Sequence, residues 1–365
     1  MRREFWRQFD FVLLGVVVFL SIFGVIMIRS AIAGNEDLAG YDTRQAVFFA
    51  VALVIIFITT VIDYHYWRAL SVGMYVFVIL FLIVIYVMGQ ASFGAQRWLE
   101  LGLIAVQPSE LAKIVIILVL AHYFSKYKNK DKIWMWIGGS LLISVGIVSL
   151  VIIQPNLSIS IVLMVIWFSM LWINGLPTKY IFVFAAMGVL GIMILFPFLE
   201  DYQKLRVITF LYPDPEARHG NTYNIEQALI TIGSGGWFGQ GYGHSTQVQL
   251  RFQKVRHTDY IFSAMSSEFG FVGAFTITLL IFFVIYRIFR AGQKAGDLYG
   301  SLICYGFGVL MFFQTIVNIG VNLNLLPVTG LTLPFVSYGG SSLTTLAIGV
   351  GLVESVIVRS KLYES

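Results

Sequence analysis

Residues 251–273 read RFQKVRHTDYIFSAMSSEFGFVG, from Arg251 to Gly273. Arg251, Lys254, Arg256, His257 and Asp259 crowd together, and a long apolar run begins at Tyr260. So abrupt a change marks a watery loop entering a membrane-spanning helix. Asp259 stands at the junction, and two readings are open there. In the commoner one, Thr258 or Asp259 caps the helix, accepting hydrogen bonds from the orphan N–H groups of its first turn. In the other, Asp259 is a reactive carboxylate at the membrane surface, among cations that suit a phosphorylated lipid.

The rest of the chain has the same apolar character. Its 365 residues are 58% hydrophobic and only 12% charged, with a mean hydropathy of +0.83. A soluble domain carries about a quarter charged residues. The composition predicts an all-α, polytopic membrane protein of about ten helices, each span needing roughly 20 apolar residues. They are expected at 10–29, 45–62, 68–88, 108–124, 133–153, 157–173, 179–199, 260–287, 298–320 and 341–359. The first apolar run is longer than a signal-peptide core and is read as an uncleaved span. Cys304, the single cysteine, lies in an apolar run and is read as packing.

Charge orients the helices. One set of short loops and the termini carries most of the lysine and arginine, including Arg2, Arg3, Arg7, Arg68, Lys179, Arg290 and the run Lys126–Lys132. The opposite short loops carry Arg29, Arg44 and Arg97. The positive-inside rule then places both termini in the cytoplasm. The run KYKNKDK reads as a topogenic, lipid-headgroup segment; no nucleic-acid site is expected. A single transmembrane domain over 1–365 is predicted, with one large outward loop at 200–259. That loop has balanced charge, and helical spacing at 223–232 predicts an interfacial helix in it.

Several constellations could carry chemistry. Glu110 and Lys113 share a helix face at i, i+3 spacing, within the outer half of a span, where charge is costly. They are either a neutralised structural pair or a ligand site, Lys113 offering charge to an anion that Glu110 positions. Arg44 and Arg97 are further outward cations, suited to phosphate or simply snorkelling at the interface. The glycine-rich stretch 233–243 follows no strand and is no dinucleotide loop; its freedom suits tight turns and close backbone approach to a ligand. Residues 329–342 are apolar yet broken by proline and glycine, as in an outer or re-entrant loop packed within protein. The histidines show no metal-ligand spacing. Glu268 follows Asp259 by about 2.5 turns, on the opposite face.

Together these stretches resemble the SEDS family (shape, elongation, division and sporulation). The resemblance rests on Gln96-Arg97-Trp98, Gln107-Pro108-Ser109-Glu110-Leu111-Ala112-Lys113, Ile232-Gly233-Ser234-Gly235-Gly236, His257-Thr258-Asp259-Tyr260-Ile261-Phe262 and 326–342. Thr246-Gln247-Val248-Gln249-Leu250 resembles the RodA branch more than the FtsW branch. The resemblance implies a ten-helix polymerase of lipid II, with release of undecaprenyl pyrophosphate. It implies Asp259 as the essential carboxylate and places the family's charged pair on Glu110 and Lys113; with the outward cations Arg44 and Arg97, and with His257 and Thr258 beside Asp259, these are the substrate-binding candidates. It further implies a divalent cation, Mg or Mn, with Asp259 as general base or metal ligand. The implied partners are a class B penicillin-binding protein and membrane lipids. The rival class is a transporter or flippase of a lipid-linked precursor, which should show paired broken helices around a midplane site.

Overall fold

The structure is a computed structural model and describes residues 6–88, 90–92, 95–101, 104–127, 133–213, 220–250, 252 and 256–364. Within 90–106 and over 361–364 the description is of the backbone alone. Arg251, Lys254 and most of the KYKNKDK run lie outside the described residues. In chain order the elements are α1 Phe11–Ile32, α2 Tyr41–Val61, α3 Tyr64–Met88, β1 Gln90–Ser92, β2 Ala95–Leu101, β3 Ile104–Val106, α4 Pro108–Lys126, α5 Ile133–Ile153, α6 Leu157–Ile173, α7 Lys179–Leu195, α8 Asp201–Leu211, α9 Asn221–Ser234, α10 Thr246–Gln249, α11 Ile261–Gln293, α12 Leu298–Asn322 and α13 Gly340–Glu364.

Each expected helical segment has a counterpart. Among the described residues, 8 helices are long and apolar enough to cross a membrane. The other two, α6 and α7, are apolar but 17 residues each, about 26 Å at the helical rise. Helix α7 stops before the expected end because Pro197 lies in the 3-10 turn Phe196–Phe198 that follows, and proline cannot continue an α-helix. Two features were not expected. The described residues within 90–106, a stretch read as part of an outer loop, form a three-stranded antiparallel sheet in the order β1-β2-β3. The segment 200–259 carries α8 as well as α9, the counterpart of the helix expected at 223–232.

Helix α4 is the axis of the core. Ile114 through Ala121 are all buried, because α3, α6, α12 and α13 pack around it; a helix apolar on every side needs such cover. At one end of the bundle, ion pairs tie the helix termini together. Arg287 Nε meets Asp10 Oδ2 at 2.9 Å, and Arg359 Nε meets Asp63 Oδ2 at 3.1 Å.

The other end is built around the irregular segment between α12 and α13. Leu331, Leu333, Phe335 and Val336 are buried, so this backbone is packed within protein, as its sequence predicts. Gly24 of α1 makes room for it: a Cβ there would stand 2.7 Å from Val336 O. Phe335 adopts φ 64, a conformation that bulky residues rarely take. Helix α11 is interrupted at Gly270, with φ 68. The glycine-rich loop docks into that break, Gly241 N–H donating to Glu268 O at 3.0 Å and Phe271 N–H to Gly236 O at 2.8 Å. Its close backbone approach is thus made to α11.

Candidate active site at the Asp259 turn

Asp259 does not cap α11. No side chain of the turn caps that helix; instead Ser263 N–H donates across to Asn322 Oδ1 at 3.1 Å. Two asparagines one turn apart on α12 also pin the Asp259 backbone. Asn318 Nδ2 and Asn322 Nδ2 donate to Asp259 O at 3.1 and 2.9 Å. The main chain is fixed while the carboxylate is left for other use, so the capping reading is corrected.

The carboxylate is only partly open to solvent. Burial pushes it up to about 6, although Arg206 nearby and a hydrogen bond from Thr258 both favour the ionised form. A carboxylate in that range stays mostly ionised at neutral pH while gaining basicity. His257 is buried, and burial, with Arg256 beside it, holds its imidazole down at about 4. His257 is therefore neutral and is no cation for phosphate; its ring lies edge-on to Tyr41 and Tyr338, at 5.8 and 5.9 Å. Arg256 is also buried, donating through Nε to Ala31 O at the end of α1.

The segment between α12 and α13 folds over this turn. Ser337 Oγ donates to Thr258 O at 2.8 Å, and Tyr338 N–H to His257 O at 3.0 Å. Gln45 of α2, itself buried, holds the segment from the other side, donating to Ser337 O at 3.4 Å and accepting from Gly339 N–H at 3.2 Å. Gly330, at φ 77, runs past the carboxylate; a Cβ there would lie 3.9 Å from Asp259 Oδ2.

Arg44 is brought to this site. It is exposed, lies 5.6 Å over the Tyr41 ring and hydrogen-bonds the Tyr338 side chain. It opens onto a cavity of about 320 Å³ lined also by Phe48, Gln107, Leu111 and Ser341. Leu111 also lines a second, almost wholly apolar cavity of about 330 Å³ between α2, α3 and α4, with Ile55, Trp67 and Phe77.

The other expected residues fall differently. Lys113 Nζ meets Glu110 Oε2 at 2.7 Å, both side chains are buried, and neither lines the Arg44 cavity. Arg97 falls on β2, its side chain outside the described ones. Glu268 is buried on the face away from Asp259, where Ser30 Oγ of α1 donates to it. Arg206 was missed: its sequence reading placed it only among the loop's balanced charges. Gln203, three residues into α8, accepts from Glu200 N–H at 3.1 Å; this reciprocal spacing marks a helix start and was the signal that could have revealed α8. Among the described residues no three His, Cys, Asp or Glu side chains cluster as metal ligands.

This fold and site define a class. The family model described as "Cell cycle protein", which spans FtsW, RodA and SpoVE, matches residues 10–362. The chain belongs to the SEDS family. It is 34% identical to the peptidoglycan glycosyltransferase MrdB of Escherichia coli K12, over 99% of this chain and 97% of that one. It is also 34% identical to the probable peptidoglycan glycosyltransferase FtsW of Hydrogenovibrio crunogenus, over 98% of this chain and 95% of the relative. The crystal structure of Thermus thermophilus RodA superposes with a TM-score of 0.72 at 29% identity, covering 98% of each chain. A chain from a peptidoglycan synthase complex, solved for the coordination of polymerization and crosslinking, gives a TM-score of 0.81 at 28% identity, covering 96% of this chain and 98% of that one.

Proposed function

We propose that this protein is a peptidoglycan glycosyltransferase that polymerises lipid II at the outer face of the bacterial cytoplasmic membrane and releases undecaprenyl pyrophosphate. The observation that carries the reading is the Asp259 carboxylate, relieved of capping by Asn322 and set near neutrality by burial. Asp259 takes the proton from the acceptor GlcNAc hydroxyl as that oxygen attacks C1 of MurNAc. An α-linked donor giving a β-1,4 bond inverts the centre, so a single displacement without a glycosyl-enzyme is expected. General-base catalysis of this kind contributes roughly 10²–10⁴-fold, and positioning of the two substrates supplies much of the remainder.

Arg44 is the foremost cation for the leaving pyrophosphate, because it is exposed at a mostly apolar cavity that shares Leu111 with a second apolar cavity, surroundings that suit a polyprenyl phosphate. Lys113, buried with Glu110, contributes from one turn inside α4. Thr258 orients the carboxylate by hydrogen bonding, while neutral His257 supports Tyr41 and Tyr338. Arg97 remains a candidate on the neighbouring sheet. A divalent cation, Mg or Mn, fits here as one shared with the substrate, since hard cations bind through one or two carboxylates plus phosphate oxygens and Asp259 supplies one. Such an ion neutralises charge developing on the leaving group.

Both termini are proposed to be cytoplasmic, the bundle to comprise ten spans, and the chain to belong to the RodA branch. A class B penicillin-binding protein is the proposed partner, supported by likeness to a chain from a complex that coordinates polymerization and crosslinking. A transporter would gather its polar groups at the midplane on paired broken helices; here Asp259 just precedes α11, Arg44 lies in the first turn of α2 and Arg206 is on the short helix α8. The test is purified protein, with and without its partner, incubated with lipid II and Mg or Mn. Glycan polymer that depends on Asp259 is expected. Failure to polymerise in the presence of partner and metal would overturn the assignment.

A further inference from the structure

Arg206 is presented to the site by a helix with no apolar span of its own. Helix α8 is moored at its start, where Tyr202 and Gln203 both donate to Pro155 O in the α5–α6 turn, Gln203 at 3.0 Å. One turn on, Arg206 Nη1 reaches Val328 O and Thr329 O, each at 3.4 Å. Ser158 Oγ shares Thr329 O. The next residue is Gly330, which runs past Asp259. Arg206 is thus close enough for its charge to act on Asp259 and Tyr260.

Among the described residues the guanidinium meets the two carbonyls and lies 5.7 Å over the Tyr202 ring. Among the described residues no carboxylate lies within ion-pair distance of it, although Asp259 is a neighbour. A guanidinium has five N–H donors, and its carbonyl contacts use a single nitrogen at long range. The side chain is partly exposed. The remaining donors of such a planar fork match phosphate oxygens.

Arg44 and Arg206 grip the same segment at different points. Arg44 bonds Tyr338 and Arg206 bonds Val328 and Thr329; between them the segment touches the Asp259 turn through Gly330 and Ser337. We propose that Arg206 is a second phosphate-binding residue, separate from Arg44, that holds the pyrophosphate of a lipid-linked sugar on the α8 side of Asp259. The inference rests on the proposed function: joining two lipid-linked units brings two pyrophosphates to one carboxylate, and each polyanion needs its own cation.

A purely structural Arg206 would staple α8 to residues 328–329, and glutamine can keep such a bond to a carbonyl while losing the charge. The experiment therefore uses Arg206→Gln and Arg206→Lys in full-length protein carrying Asp259→Asn, so that binding is read without turnover. Inorganic pyrophosphate, and lipid II in phosphatidylcholine nanodiscs, are titrated onto each, with melting temperature as the check on folding. Arg206→Gln is expected to remove one of two pyrophosphate sites and to weaken lipid II binding about tenfold or more, the scale of one charge-assisted hydrogen bond. Arg206→Lys should retain part of the binding, and Arg44→Gln should remove the other site. A folded Arg206→Gln protein that binds both ligands as its parent does would overturn the proposal. So would a site filled by phosphatidylglycerol nanodiscs, with lipid II affinity indifferent to Arg206. Absence of glycan synthesis by the unsubstituted protein would instead defeat the functional reading, and the pyrophosphate result would stand apart from it.

Discussion

Asn322 holds both sides of the turn that presents Asp259. Its Nδ2 donates to Asp259 O at 2.9 Å and its Oδ1 accepts from Ser263 N–H at 3.1 Å. One buried amide therefore does for α11 what a capping side chain does elsewhere. Asn322→Leu leaves the Ser263 N–H without its acceptor, a loss of roughly 1–3 kcal/mol for a buried group. Glycan output per folded molecule should fall further than the melting temperature suggests, because the Asp259 backbone is left to Asn318 alone. An Asn322→Leu protein that polymerises normally would show that the clamp has no bearing on the site.

Asp259→Asn separates the roles of the carboxylate itself. Asparagine keeps the shape but loses the negative charge and the basicity, so a carboxylate that only packs in place predicts near-normal activity. The catalytic reading predicts a folded protein that still binds lipid II and loses at least roughly 10²-fold in polymerisation. Metal ligation predicts the same loss, with partial recovery at higher Mg or Mn. Melting temperature, lipid II binding and glycan length measured on one preparation distinguish these outcomes.

The same residue gives a pH signature. Its ordinary value is 3.8 and the fold raises it to about 6, so the folded state holds the proton more tightly than the unfolded chain. A raised carboxylate contributes stability below its ordinary value, and the contribution is lost as pH rises through the folded value. Asp259→Asn should therefore raise the melting temperature relative to the parent at pH 8 and much less at pH 4. Polymerisation should decline as pH falls through about 6, where the base becomes protonated. His257, held at about 4, works in the opposite sense on stability: protonation of the unfolded chain between about 6.5 and that value favours unfolding. The difference between parent and variant isolates Asp259 from it.

What the sequence made legible was what local pattern controls. Apolar run length located the helical segments, and the abrupt boundary at Tyr260 located Asp259 at a helix start. What it concealed depends on tertiary partners. Asn318 and Asn322 lie far along the chain from Asp259, and nothing local marks them as its clamp. Arg206 looked like one charge in a balanced loop because the docking of α8 on Pro155 is a contact between distant segments. Lys113 and Glu110 were legible as a pair from their spacing, but their burial away from the Arg44 cavity depends on α3, α6, α12 and α13 closing around α4. The sheet at 90–106 was missed because its strands, 3, 7 and 3 residues long, are too short to register a period.

The orientation of the bundle is open to labelling. The termini and the loops between alternate helices are rich in lysine and arginine, and Asp10, Asp63, Arg287 and Arg359 form the ion pairs at that end. In a Cys304→Ser background, single cysteines replacing Lys126 and Gly220 should react from opposite sides of intact cells, Gly220 from outside. Labelling at Lys126 by an impermeant reagent would invert the protein and move the site to the cytoplasm.

The Glu110–Lys113 pair tests whether buried charge at α4 is structural or functional. Lys113 is 1% exposed and its ammonium meets Glu110 at 2.7 Å, so removing either partner leaves the other uncompensated. Lys113→Met should cost about 3–5 kcal/mol, the scale for breaking a buried pair, so misfolding would lower activity whether or not the ammonium binds pyrophosphate. The double variant Glu110→Gln, Lys113→Met carries no uncompensated charge, and stability should largely return. Activity should not return with it if the ammonium contributes to pyrophosphate binding, and the residual defect should appear as weaker lipid II binding. A double variant that melts like the parent and makes glycan at the parental rate would reduce the pair to a structural neutralisation and leave Arg44 and Arg206 as the phosphate-binding cations.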